Sequence, residues 1–487
     1  MKDYSFGNYI CALRTGLGLS QFQLGALVGV TDKAVSKWEN GDAKPRLATC
    51  HRLAEVLGVS ISQLLSCERI HGCAGKELDK MSNKLWKEAY RRLRIYGEAP
   101  PLECMTRLSS EEFALRDTDA VHCFAATGKM MEALKARGTA MTVRGGINAS
   151  FTAWLFGATH VNPLPPHYRC PVCGDTRFVP DVADGFDLPV KKCGCGAEYI
   201  RDGHGLPFET YDDKLRSGTH LEFNTTEQSL PVAAKALLEF YDGKAELLPV
   251  KMHSSYDGQS VQRYVILPEH KARPELSEDG FWHIAMDDYW QWQEGETSFT
   301  FLISDQLTEL EQSGLTFPDP MSLMTPRMAE KLFLRRCEKY AFFTDRLAPE
   351  EPHDFDLLLR IDSMSHSTGP WTGNGEVLVA QRSASLRQIP ASRDHVWQMV
   401  NDALIRRGIY DSGFALTVMD TAKRGLFYSR GIPEDICSGL RALDLPEWFP
   451  DYLEKIVYLF PMGHCVAYLL TDALTEWVWE QTEGAEK

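Results

Sequence analysis

The chain has 487 residues, of which 44% are hydrophobic, and its formal net charge is −15. This length and apolar content predict several domains with buried cores and exclude a collagen-like, low-complexity or disordered chain. No apolar run reaches the roughly 18 residues of a membrane span, and the N-terminus lacks a signal-peptide stretch. We therefore expect a cytoplasmic protein without a membrane partner.

The charge is unevenly distributed along the chain. Residues 1–95 carry fifteen Lys and Arg against nine Asp and Glu, a net charge of +6, which leaves −21 for the remainder. Only the N-terminal part therefore has the sign expected of a surface that displaces counterions from phosphates.

Two short helices joined by a tight turn are predicted near the N-terminus. Ser20 and Gln23 fit a capping box before QFQLGALVGV, Thr31 precedes a second helix over DKAVSKWENG, and Gly29 lies in the turn. Residues 5–66 are predicted to form an all-α domain of five helices with a shared apolar face. That face consists of Phe6, Ile10, Leu13, Leu24, Leu27, Val28, Val35, Trp38, Leu47, Leu53, Val56, Leu57 and Leu64.

The predicted second helix leaves short polar and basic side chains outside this core. The major groove of DNA admits one α-helix, whose N-terminal side chains then reach the base edges. The expected DNA contacts are Gln21, at the start of the preceding helix and suited to a phosphate, and Thr31, Asp32, Lys33, Ser36, Lys37 and Asn40. The alternatives are a small protein-binding module and, for single residues such as Lys33, a plain solvated side chain.

The run LSQFQLGALVGVTDKAVSKWENGDAKPRLATCHRLAEVLGVSISQLL resembles the Cro/C1 family of helix-turn-helix domains. The resemblance implies sequence-specific binding of duplex DNA by residues 1–66 and, as in many repressors of this class, a homodimer. Residues 67–95 are predicted to be a linker that becomes a basic helix from about Leu78. This helix either extends the DNA footprint or is a solvated face.

Four of the thirteen cysteines fall in two close pairs, Cys170-Pro-Val-Cys173 and Cys193-Gly-Cys195. Thiolates from two such turns can complete a tetrahedral Zn²⁺ site that leaves no ligand position open. We therefore predict a structural zinc ion in a ribbon over residues 168–200. The alternative is a chance clustering of cysteines.

The stretches VNPLPPHYRCPVCG and GFDLPVKKCGCGAEYIRDGHGLPFET resemble the zinc-bearing palm of PolC-type DNA polymerase III alpha subunits, which belong to the C family. Further on, SMSHSTGPWTGNG and LPEWFPDYLEKIVYLFPMGHCVAYLL resemble the fingers of that family. The resemblance implies a multidomain α+β protein. The all-α helix-turn-helix domain is followed by a mixed α/β nucleotidyltransferase-like palm over residues 96–324 and a mainly helical fingers-like region over residues 325–487.

The carboxylates of polymerase chemistry are replaced in this sequence. The family's Asp-x-Asp pair holds two Mg²⁺ ions about 4 Å apart, and Gly218 and His220 occupy the corresponding positions here. Glycine offers no ligand, and imidazole is a poor ligand for Mg²⁺. Glu222 is predicted on the same face as His220, and Asp305 is a candidate for a third family aspartate.

The nucleotide-binding segment has also changed. The family's Ser-Arg-Gly-Ser appears as Val143-Arg144-Gly145-Gly146, which keeps the guanidinium and loses both hydroxyls. We expect a vestigial nucleotide site made of Arg144, Gly145, His220 and Glu222, and we assign no catalytic residue.

These features predict a DNA-binding transcriptional regulator that carries a catalytically inactive region similar to the polymerase III alpha subunit. One alternative is a polymerase mimic that binds a replication-protein partner. A second alternative is a residual DNA-directed DNA polymerase or nucleotidyltransferase.

Overall fold

The computed structural model describes most of the chain. The described residues are 10–11, 13–14, 19–40, 43, 45, 47–57, 76–116, 118–139, 141–211, 219–253, 260–267, 278, 280–285, 297–339, 354–410 and 412–482. Gly218 and two predicted core residues, Phe6 and Leu64, lie outside them, as does the predicted fifth helix of the N-terminal domain.

Helices dominate both ends of the chain. In chain order they are α1 (Gln21–Val28), α2 (Asp32–Glu39), α3 (Leu47–Leu57), α4 (Lys76–Arg92), α5 (Leu102–Leu115), α6 (Ala120–Arg137), α7 (Phe151–Leu155), α8 (Ser229–Phe240), α9 (Asp305–Gln312), α10 (Pro320–Leu323), α11 (Pro326–Lys339), α12 (Phe355–His366), α13 (Glu376–Ala380), α14 (Arg393–Arg406), α15 (Gly413–Lys423), α16 (Leu426–Arg430), α17 (Glu434–Arg441), α18 (Phe449–Leu453) and α19 (Met462–Thr482).

The strands form two sheets between residues 142 and 303. They are β1 (Thr142–Arg144), β2 (His167–Arg169), β3 (Thr176–Phe178), β4 (Ile200–Asp202), β5 (His220–Thr225), β6 (Glu246–His253), β7 (Ser260–Leu267), β8 (Trp282–Ala285) and β9 (Ser298–Ile303). The larger sheet has six strands in the order β1-β5-β9-β7-β6-β8, and the smaller has three in the order β3-β2-β4. In the larger sheet β5 runs parallel to β9 and antiparallel to β1.

The chain folds into two compact units, each made of discontinuous segments. One contains residues 1–71, 96–114 and 360–460, and the other contains residues 72–95, 115–359 and 461–487. No helix among the described residues is both long and apolar enough to cross a membrane.

The two helices of the predicted turn form where the sequence places them. The Ser20 hydroxyl accepts the Gln23 amide, the Gln23 side chain accepts the Ser20 amide, and Thr31 caps α2. Gly29 ends α1 with a φ of 75°, which favours glycine. Gly25 lets α1 approach the following turn, because a Cβ there would lie 2.8 Å from the Val30 carbonyl oxygen. Both helices end two residues earlier than predicted.

The N-terminal core confirms most of the predicted apolar face. Its buried members include Ile10, Leu13, Leu24, Val28, Val35, Trp38, Leu53 and Leu57. The prediction for Leu27 is wrong, because this side chain is 59% exposed. Leu24, Gly25 and Val28 form the buried stripe of the eight-residue α1, and Leu27 falls outside it. It borders a surface groove with Arg52, Val56 and Leu102.

A buried ion pair links the first helical residues to the end of α2. Arg14 donates to Glu39 through Nε at 2.5 Å and through Nη2 at 3.0 Å, and the two side chains are 11% and 5% exposed. Burial alone raises the pKa of Glu39, but hydrogen bonds from Arg14 and Gln21 outweigh it and hold that pKa below its usual value. The pair is therefore ionised at neutral pH.

We expect Glu39→Ala to destabilise this domain by about 3 kcal/mol, because it leaves the Arg14 guanidinium buried without its partner. Amide hydrogen exchange over residues 21–57 of the full chain should accelerate by about a hundredfold. Lys33→Ala, at an exposed position of the same helix, is the control and should leave the exchange rates within a few fold. Equal exchange rates in the two variants would contradict this role for the ion pair.

Candidate functional site

The outer face of α2 carries the residues predicted to read DNA. Asp32, Lys33, Lys37 and Asn40 are exposed, and Ser36 is partly exposed. Residues three and four apart share one side of a helix, so these side chains lie on one face, opposite Val35 and Trp38. Asn40 donates to the Ser36 hydroxyl at 3.4 Å, and Asp32 accepts the Lys33 amide at 2.8 Å. Thr31 precedes this face as the N-cap.

Gln21, a predicted phosphate contact, also takes part in the ion-pair network. Its side-chain amide donates to the Glu39 carboxylate at 2.7 Å, and its side chain is partly exposed at the start of α1. The DNA contact of Gln21 stays a prediction. Sequence reasoning missed Arg14 and Glu39, since charged residues 25 positions apart give no local signal of pairing.

The four predicted cysteines converge at one point beside the smaller sheet. The Cys170 and Cys195 sulfurs are 3.5 Å apart, as are those of Cys173 and Cys193. All four sulfurs lie within 4.8 Å of one another. A tetrahedral ion with four Zn–S bonds of about 2.3 Å needs sulfurs about 3.8 Å apart. Within the described part of the chain, no other group of three or more His, Cys, Asp and Glu residues could hold a metal ion.

Two tight turns present the sulfurs. The amide of Cys173 points to the Cys170 sulfur at 3.5 Å, and this hydrogen bond is the largest effect that lowers the pKa of Cys170, to about 6. In the second turn the Cys195 amide lowers the pKa of Cys193 in the same way. Gly174 and Gly196 have φ values of 74° and 93°, which these turns require. Backbone amides therefore favour the thiolates that bind a metal ion.

Side chains that the sequence did not single out support this cluster. The Tyr199 hydroxyl donates to Asp175, and Arg177 donates to the same carboxylate at 3.1 Å. The Tyr199 ring also packs against the Tyr168 ring, with 5.5 Å between the two ring centres. Tyr168 and Tyr199, with Cys170 and Cys193, belong to a small apolar core that fixes both cysteine turns.

The polar face of the larger sheet, defined here as Arg144, His220, Glu222, Asn224 and Arg263, carries most of the predicted nucleotide site. Strand register places Arg144 directly opposite Glu222. Arg263 donates to Glu222 at 2.7 Å, and Arg144 lies 3.6 Å from the other carboxylate oxygen. Arg144 also donates to Asn224 at 3.0 Å. Glu222 is thus held between two guanidinium groups. Gly145 follows β1 with a φ of 76°.

Hydroxyl groups occupy the neighbouring positions of β9. His220 lies opposite Ser298, and its Nδ1 is 2.9 Å from the Ser298 hydroxyl, while Glu222 lies opposite Thr300. Asp305, the candidate for a third family aspartate, is exposed and begins α9, two residues after the end of β9. Its role stays a prediction.

Helix α19 borders the polar face. Thr471 and Thr142 share a hydrogen bond of 2.8 Å between their hydroxyls. Tyr468, one turn earlier, hydrogen-bonds to Asn224, while burial raises its pKa. The buried ring of His464 lies 4.3 Å from that of Tyr468. His464 is therefore a buried residue of α19 that packs against Tyr468 on the same helix.

Comparison with known proteins agrees with both parts of this arrangement. Residues 12–64 match the helix-turn-helix family model. The chain is also similar to PolC-type DNA polymerase III. The protein of that name from Listeria welshimeri is 25% identical in an alignment of 470 positions, gaps included, that covers 80% of this chain and 31% of the relative. That from Thermotoga maritima is 26% identical in an alignment of 463 positions that covers 80% of this chain and 33% of the relative.

A third relative, PolC-type DNA polymerase III from Lactococcus lactis, is 27% identical in an alignment of 455 positions that covers 77% of this chain and 27% of the relative. The chain therefore spans about a third of the length of the curated relatives it matches. It combines a helix-turn-helix segment with a region similar to the polymerase, and it carries a four-cysteine cluster that could hold a metal ion.

We expect the purified protein to contain about one metal ion per chain and the variants Cys173→Ser and Cys195→Ser to lose most of it, because four sulfurs complete the site. Elemental analysis gives the metal content. Thermal unfolding should also begin several degrees lower, since a structural metal contributes to folding free energy. Cys437→Ser, at a partly exposed cysteine that is not part of the cluster, is the matched control. Equal metal content in all three variants would contradict the assignment.

Proposed function

We propose that this protein is a sequence-specific DNA-binding protein, a transcriptional regulator, whose polymerase-like region has no catalytic activity. The observation that carries the proposal is a contrast between two sites. The outer face of α2 is exposed and polar, whereas Glu222 on the sheet is neutralised by Arg144 and Arg263.

DNA binding is supported by the position and chemistry of α2. Its N-terminal end is capped by Thr31 and exposed, so Lys33, Ser36 and Lys37 can enter a major groove without rearrangement of the core. The match of residues 12–64 to the helix-turn-helix model also supports DNA binding, as does the +6 charge of residues 1–95. We also propose that the protein forms a homodimer, because two helix-turn-helix domains can bind the two half-sites of one DNA sequence.

Catalytic inactivity is supported by the electrostatics of the polar face. Two-metal phosphoryl transfer needs carboxylates that hold two cations about 4 Å apart. Here Glu222 has guanidinium groups on two sides, which repel a divalent cation, and the residues across β9 are Ser298 and Thr300. His220 is a poor Mg²⁺ ligand and lies within 2.9 Å of a hydroxyl.

We also propose that the ion held by Cys170, Cys173, Cys193 and Cys195 is zinc with a structural role. An all-sulfur, four-coordinate donor set is typical of structural zinc and leaves no position for water or substrate. The cluster also lies beside a small apolar core rather than on the polar face of the larger sheet.

A second candidate function is a polymerase mimic that binds a protein partner of the replication machinery. The similarity to PolC-type polymerases over 80% of the chain favours this candidate. A protein can keep a surface that binds partners after it has lost its catalytic residues. Pull-down with the intact protein tests this candidate, and failure to recover any replication protein would count against it.

Selection of genomic fragments with the full chain should yield a shared sequence motif and a salt-sensitive complex. The double variant Lys33→Gln and Lys37→Gln should bind that motif at least about tenfold more weakly, since each base or phosphate contact contributes about 1–3 kcal/mol. Lys129→Gln with Lys235→Gln, both exposed and of equal charge change, is the control. The proposal fails if no sequence is preferred or if the control loses as much affinity.

Primer extension with Mg²⁺ or Mn²⁺ should give no nucleotide incorporation above a protein-free control, because the described residues paired with Glu222 across the sheet are Arg144 and Thr300 and supply no second carboxylate. The decisive comparison is between the unchanged protein, Glu222→Ala and the exposed control Glu132→Ala. Incorporation that Glu222→Ala abolishes and Glu132→Ala preserves would overturn the proposed inactivity.

A further inference from the structure

Helix α4 and the turn that follows it have two sharply different sides. The buried side consists of Ser82, Trp86, Ala89, Leu93 and Tyr96. On the outer side four basic residues are exposed, and we call them the α4 stripe: Lys84, Lys87, Arg91 and Arg94. Their spacing of three, four and three residues keeps them on one face of the helix.

The helix is fixed to its own unit by a fifth basic residue that faces inward. Arg92 donates through Nη1 to the Leu155 carbonyl at 3.1 Å, and its guanidinium lies 5.1 Å from the centre of the Phe156 ring. Trp86, which is 2% exposed, anchors the same side one and a half turns earlier. The α4 stripe is therefore presented by a packed helix, so the backbone that carries it is already ordered before binding.

The charge of this segment differs from that of the chain around it. Residues 81–95 contain five Lys and Arg and one acidic residue, Glu88, whereas residues 96–487 carry a net charge of −21. Glu88 pairs with Arg91 at 2.6 Å and with Arg92 at 3.0 Å. It therefore offsets part of one stripe charge and leaves about three for an outside partner.

The length of the α4 stripe matches a short stretch of duplex DNA. From Lys84 to Arg94 the backbone rises about 15 Å at helical spacing. Each strand of B-DNA carries one phosphate per 3.4 Å or so of helix axis, so an equal length of duplex contains about four phosphates of each strand. A membrane surface is a poorer partner, because the apolar side of α4 is buried in the protein and cannot enter lipid.

We propose that the α4 stripe is a second phosphate-binding surface for duplex DNA, separate from α2 and independent of base sequence. This proposal rests on the proposed DNA-binding function and adds a second contact surface to it. Recognition by α2 selects the sequence, and the α4 stripe adds affinity for the backbone.

The test uses the full chain and a fluorescein-labelled duplex of mixed sequence, about 40 base pairs long, because non-specific binding is almost entirely electrostatic. Fluorescence anisotropy gives the binding constant at several salt concentrations between about 50 and 200 mM. The stripe variant carries Gln at positions 84, 87, 91 and 94. Its matched control carries Lys235→Gln, Lys244→Gln, Arg430→Gln and Arg441→Gln, four exposed residues elsewhere with the same total charge change.

The stripe variant should reduce the slope of log K against log salt by about 3, at 0.9 per phosphate contact, and weaken binding at least about tenfold at the lower salt concentrations. The control should change the slope by less than about 1. An unchanged slope in the stripe variant, or an equal change in the control, overturns the proposal. Loss of binding to phosphatidylserine vesicles with an unchanged DNA slope would also overturn it and identify a lipid partner.

The variant Lys33→Gln with Lys37→Gln separates this inference from the function on which it rests. If this variant lowers the slope and the stripe variant does not, only the second surface is disproved. If neither variant alters binding, the proposed DNA-binding function fails as well. All substituted side chains are exposed, and glutamine is a good helix former, so the fold should persist in each variant.

Discussion

The ion pairs of Glu222 with Arg144 and Arg263 determine how the polymerase-like sheet can act. They join side chains from β5, β1 and β7, and so they stabilise the same face that would have to accept metal ions. A carboxylate held by two guanidinium groups has its charge compensated within the protein. A divalent cation bound to Glu222 would have to displace both arginines. The proposed catalytic inactivity rests on this arrangement.

Local features of the N-terminal domain could be predicted from the sequence because short-range rules govern them. The capping box of Ser20 and Gln23, the left-handed Gly29 and the cap at Thr31 each depend on residues within four positions. The exposure of Leu27 depends on which side of the short helix α1 packs against the core. A run of apolar residues in the sequence does not specify that side. The Arg14–Glu39 pair depends on the tertiary fold, which brings residues 25 positions apart together.

The same distinction applies to the two candidate sites. The cysteine cluster could be predicted from spacing, since each pair lies in one turn and the chemistry of sulfur limits the outcome. The environment of Glu222 could be predicted only in part, from resemblance. Arg263 and Thr300 lie outside the stretches that carry the resemblance, and only the three-dimensional structure shows that they adjoin Glu222. A carboxylate whose partner lies 41 residues away carries no local signal of its pairing.

The distribution of charge along the chain agrees with the ion pairs and helix packing described above. An active polymerase needs cations beside its carboxylates and basic side chains along its duplex, whereas the larger part of this chain has a net charge of −21 and uses two arginines to neutralise one glutamate. Among the described residues of 1–95, most exposed basic side chains lie on two helices whose other faces are packed. These faces are formed by Val35 and Trp38 in α2 and by Trp86 and Leu93 in α4 and the turn after it. Burial of the apolar face holds each basic face outward, so the packing that stabilises these helices also orients the charges that duplex DNA would meet.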